Sequence, residues 1–134
     1  MTSFFKHKIV PAALAVFAFT GIAQAERLTC QFPEDDRAGG WVSVIVVFDI
    51  DANGQAIVDD GAVQEFNGGP MVTRVRTNNA KRLTMTWDLD TQDSIGQISL
   101  KRYTAFIDRR TMEATILVQP RGYLPWPRAI GECR

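Results

Sequence analysis

Histidine is the first shortage. The chain of 134 residues has one, His7, close to the amino terminus. Ser–His and Cys–His nucleophile pairs are therefore excluded from residues 26–134, and so is any zinc or copper centre with a histidine ligand. Cysteine is nearly as scarce, with Cys30 and Cys133 the whole supply. Lysine is sparse as well: of the 13 basic residues after position 25, 11 are arginine, leaving Lys81 and Lys101. Set against 15 acidic residues they give residues 26–134 a formal charge of −2. A near-neutral domain has no general electrostatic attraction to nucleic acid. Long apolar runs are missing apart from Ile9–Ile22, whose 14 residues fall short of the roughly 18–20 that span a bilayer.

That run has flanks with a meaning. Lys6, His7 and Lys8 precede it, Ala23-Gln24-Ala25 follows it, and charge resumes at Glu26-Arg27. A basic start, an apolar middle and a small-x-small end form the layout of a cleavable secretory signal peptide. The expectation is a leader over residues 1–25, cut after Ala25, and a single β-rich domain over 26–134 delivered to a bacterial periplasm or secreted. No membrane span remains after cleavage. In such an oxidising compartment Cys30 and Cys133 should pair. Bonded cysteines need Cα atoms within about 7 Å, so the two ends of the domain must meet. The pairing also removes the last thiol nucleophile, and catalysis would fall to carboxylates, Lys81, Lys101 or a tyrosine.

Turn residues recur about every ten positions, with apolar–polar alternation between them. Strands are predicted over 27–32, 41–50, 55–58, 62–66, 71–77, 82–89, 95–107 and 111–118. In 82–89 the alternation is clean: Leu83, Met85, Trp87 and Leu89 point inward. In 95–107 it changes phase, with Ile98 and Leu100 on one face and Tyr103, Ala105 and Ile107 on the other, which predicts a bulge near Lys101-Arg102. Residues 119–134 look irregular. The fold expected is all-β: a small antiparallel β-barrel or sandwich of about eight strands, its ends joined by one disulfide.

Four segments invite a functional reading. Asp49-Ile-Asp51-Ala-Asn53-Gly54 matches the first half of a calcium loop, but position twelve is Asp60 rather than glutamate and the flanks are strands. It reads as a hairpin turn, so no metal and no cofactor is expected. Arg74, Arg76 and Arg82 could gather on one outer sheet face and hold an anion. Tyr123-Leu-Pro125-Trp126-Pro127 stiffens two aromatic residues between prolines, either as a contact anchor or, the reading preferred, with Trp126 as a lid on the barrel. Val42–Phe48 is apolar on both faces, and its second face is expected to pack beneath the tail.

These features favour a non-catalytic interaction module whose partner is a protein or another envelope component, with Tyr123, Trp126, Arg74, Arg76 and Arg82 as the contact residues. An alternative is a barrel that binds a small apolar or amphipathic ligand in a cavity lined by 41–48 and 83–89. A carboxylate-based hydrolase, which needs two converging acids, is the least supported.

Overall fold

The computed structural model describes residues 11–13, 15, 24–34, 37–122, 124 and 126–134. The predicted leader and Tyr123 fall wholly or almost wholly outside them. Nine strands form one antiparallel sheet: β1 Glu26–Gln31, β2 Ile45–Ile50, β3 Ala56–Asp60, β4 Met71–Val72, β5 Arg74–Asn78, β6 Arg82–Gln92, β7 Ile98–Asp108, β8 Glu113–Pro120 and β9 Arg128–Cys133. Their order across the sheet is β4-β3-β2-β1-β9-β8-β7-β6-β5. The two outermost strands, β4 and β5, are consecutive in the chain and separated by one residue, Thr73. Thr73 sends both its backbone N–H and its hydroxyl to the Ala56 carbonyl, each at 2.9 Å. One extended segment thus lines β3 with its first half and β6 with its second, and the sheet curls into a nearly closed barrel.

The predicted cystine is the seam on the other side. Cys30 of β1 lies directly opposite Cys133 of β9, with Cα atoms 3.9 Å apart. Beside it Thr29 and Arg134 exchange both backbone hydrogen bonds, at 2.8 and 2.9 Å. The barrel interior is filled by side chains. Trp87 stacks on Tyr103 with ring centres 5.4 Å apart, and it meets Phe48 edge-on at 5.7 Å. Leu83, Met85, Val46, Val58, Ile116 and Val118 close the remaining space. The interior between 41–48 and 83–89 is therefore packed core.

Four local expectations change. Residues 62–66 are not a strand: Gly61–Asn67 is a helix, α1. Its amino end is capped by Asp60, which accepts from the Val63 N–H at 2.7 Å, and it stops at Gly68, whose φ of 74° is left-handed. It buries Val63 and leans Ala62 and Phe66 on the core. β7 has no bulge, for its register with β6 runs unbroken from Arg82↔Asp108 to Gln92↔Ile98. The phase never changes: Lys101 points inward with Tyr103, Ala105 and Ile107, while Ile98 and Leu100 point out. Residues 128–133 are a strand rather than irregular tail, with Ala129, Gly131 and Cys133 buried. The second face of β2 is not covered by the tail, since Ile45 is 52% exposed.

The half-matched calcium loop is the β2–β3 hairpin. The Asp51 carboxylate accepts from the amides of Asn53 and Gln55, both at 2.9 Å, and Gly54 takes φ 80°. Asp49 faces outward and pairs with Arg27 at 2.7 Å. Among the described residues no group of three His, Cys, Asp or Glu could hold a metal ion.

Candidate functional site

β6, β7 and β8 run side by side, so their outward residues form cross-strand rows. Asp88 stands opposite Arg102, and Arg102 opposite Gln119. The row is tied by charge. Arg102 Nε donates to Asp88 Oδ1 at 2.8 Å and its Nη2 donates to Oδ2 at 3.3 Å. Arg74, reaching across from β5, donates to the same Oδ2 at 3.2 Å. The Arg102 hydrogen bond, helped by Arg74, holds the Asp88 carboxyl below its ordinary value. One carboxylate thus fixes two guanidinium groups, each with donors to spare.

The chain leaving β8 turns back over this row. The Arg121 N–H donates to the Leu100 carbonyl at 2.9 Å, Gly122 takes φ 83°, and Leu124 and Trp126 border the same space as Leu100. A groove of about 860 Å³ results, with Asp88, Arg102 and Arg121 as its charged wall and Leu100, Leu124 and Trp126 as its apolar wall. Trp126 is 46% exposed and Leu124 80%. Trp126 therefore does not lie over the core as a lid; the core is already closed by Trp87, Tyr103 and Phe48, and the indole is left on the outside.

The structure joins two of the features the sequence had kept apart, placing Arg74 and Trp126 at opposite sides of the Asp88–Arg102 pair. It does not bring the other arginines there. Arg82 stands opposite Asp108, about four strand residues (roughly 13 Å) from the Arg74↔Thr86 pair. It shares a separate shallow depression with Lys81 and Arg110. Arg76 is exposed at the irregularity in the β5–β6 register between Val75 and Thr77. Arg102, Arg121 and Leu100 escaped the sequence reading. The usable signal was the unbroken alternation through Lys101, which sends Leu100 and Arg102 outward together.

No family model, no curated protein and no solved structure matches this chain.

Proposed function

We propose that residues 26–134 are an exported, non-catalytic interaction module, and that the groove beside Trp126 takes an acidic, apolar-flanked segment of another envelope or extracellular protein. The observation that carries this is a half-exposed indole set against a wall of arginines. Tryptophan and arginine are among the side chains most enriched at positions that dominate binding energy. Charge complementarity indicates the partner's sign: Arg102 and Arg121 line the groove with a single carboxylate, Asp88, which also holds Arg74, while the domain as a whole is slightly acidic. The groove is thus a local cationic site that a carboxylate can enter without displacing the pair already there. Leu100 and Leu124 supply the apolar contact beside it. The leader pattern over 1–25 supports export, and the Cys30–Cys133 bond is in keeping with an oxidising compartment.

The test is capture from an envelope extract by the wild type, by Trp126→Ala and by Arg121→Glu. Both variants should unfold within about 0.5 kcal/mol of wild type, as surface sites do. Both should lose the captured partner, and raised salt should weaken capture by the wild type. Identical capture by all three proteins would reject the groove.

A further inference from the structure

A second site lies at the end of the barrel where β7 begins, bordered by α1 and by residues between Arg37 and Ser43. Lys101 is its unusual member. It sits on the inward face of β7 and is only 5% exposed. Its ammonium donates to the Thr91 hydroxyl and lies 4.6 Å from the centre of the Trp41 ring. An ammonium has three donors, and among the described residues the Thr91 hydroxyl is its only hydrogen-bond partner and no carboxylate forms an ion pair with it. Burial pushes its pKa down, with the Asp93 charge acting the other way. A buried cation with no counter-ion among the described residues is expensive, and a cation–π contact offsets only part of that cost.

The space around Lys101 has the form of a ligand site. A cavity of about 310 Å³ opens there, walled by Trp41, Phe66 and Tyr103. That is at the small end of the range for small-molecule pockets. The walls are fixed: the Tyr103 hydroxyl donates to the Trp41 carbonyl at 3.0 Å. Arg37 also lines the cavity, with Nη1 donating to the Val42 carbonyl at 3.2 Å and a buried Nε that has no partner among the described residues. The acids sit differently. Glu65 and Asp93 are exposed, and Asp93 is occupied by the amides of Ile95 and Gln97 at 3.0 and 2.8 Å. Among the lining residues the cations are deep and the acids are at the rim; behind the wall Asp60, whose charge acts on Tyr103, is already engaged by the Val63 amide and the Ser43 hydroxyl. Such a site admits one negative charge and repels several.

We infer that the barrel mouth binds a small organic monocarboxylate, its anionic end on Lys101 and its apolar body against Trp41 and Phe66. This site is separate from the groove beside Trp126 and does not depend on it. The probe is benzoate, titrated calorimetrically into the protein, with benzamide and inorganic phosphate as controls. Benzoate should bind saturably at one site. Benzamide should bind about tenfold more weakly or not at all, as expected when a charged hydrogen-bond partner is removed, and phosphate should not compete. Lys101→Met should weaken benzoate by a similar factor and Phe66→Ala should weaken it too, while Trp126→Ala leaves it unchanged.

A labelling measurement on the wild type covers the case in which a variant fails to fold. Lys81 and Lys101 are the only lysines after residue 25, and Lys81 is exposed. Saturating benzoate should slow acetylation of Lys101 by acetic anhydride and leave Lys81 unaffected. Asp35 and Asp36, next to Arg37, lie outside the described residues, and Asp35→Asn/Asp36→Asn tests them as internal counter-ions. Benzoate binding that appears only in that double variant overturns the proposal. So does the absence of saturable binding at millimolar benzoate, equal affinity for benzamide, or unaltered Lys101 labelling.

Discussion

Asp60 does two jobs that pull in opposite directions. Its carboxylate caps α1 at Val63, yet burial raises its pKa above the ordinary 3.8, against the amides of Val63 and Ala62 and the Ser43 hydroxyl, which pull it down. A carboxyl that is harder to ionise in the folded protein stabilises fully below its unfolded pKa. That contribution is lost as pH rises from the ordinary value through the raised one. An asparagine side chain here would keep an acceptor for the Val63 amide and remove the charge, so Asp60→Asn should flatten the stability profile above about pH 4. Asp60→Ala should cost about 1 kcal/mol through the lost cap. Urea midpoints across pH decide it; an Asn variant as destabilised as the Ala variant at neutral pH counts against this account. Asp88 has the opposite sign: its lowered pKa stabilises above the unfolded value, and that stabilisation is lost as pH falls below the ordinary 3.8. Its exposure keeps the contribution within about 1 kcal/mol. At this scale the sequence was half legible. Trp126 and Arg74 stood out by type and neighbours. The Asp88–Arg102 pair did not, because it is made by cross-strand register, which no local window contains. Lys101 was hidden by its neighbours: Ile98 and Leu100, apolar yet outward, suggested a change of phase and so a bulge where the alternation was regular.

β9 is the element most dependent on small side chains. A Cβ built on Gly131 would fall within contact distance of the Gln31 carbonyl oxygen and at 2.7 Å from Phe32 Cδ1. Neither backbone nor a ring fully buried in the core can yield freely. Gly131→Ala should therefore push β9 away from β1 and cost about 1–3 kcal/mol, as overpacking does. Chemical denaturation measures it, and an unchanged midpoint would mean that the seam has slack. The same smallness explains why β9 looked irregular. Its inward residues are Ala129, Gly131 and Cys133 while Ile130 faces out, so the usual alternation of large apolar and polar residues is inverted. α1 was missed for another reason. With seven residues it makes two turns, too few for a helical apolar period to register, although Asp60 and Gly68 are ordinary start and stop signals. The strands with large inward residues, β6 above all, were readable throughout.

At the scale of the whole molecule the fold was legible from the cysteines and the turn spacing, and the barrel was separable from a sandwich only once β4 and β5 were seen to be one segment shared by both sheet edges. The cystine spans a sequence separation of 103, and the chain-entropy account assigns a loop of that size about 4.7 kcal/mol. Reduction, or Cys30→Ala/Cys133→Ala, should lower stability by about 2–5 kcal/mol, read from denaturation with and without reductant. A shift below about 0.5 kcal/mol would show that strand pairing alone holds the seam. The proposed leader makes a separate prediction: the intact mass of exported material should lack residues 1–25, and a mass retaining them would reject cleavage after Ala25. The β1–β9 seam also sets a timetable. A chain emerging amino end first makes β1 early and its second neighbour last, after residue 128. Until then β1 is paired on one side only, and an unpaired strand edge is a template for other chains. Closure waits for contacts distant in sequence, which are slow to form. The newly made domain is thus most vulnerable to aggregation and proteolysis during the interval before its last strand arrives.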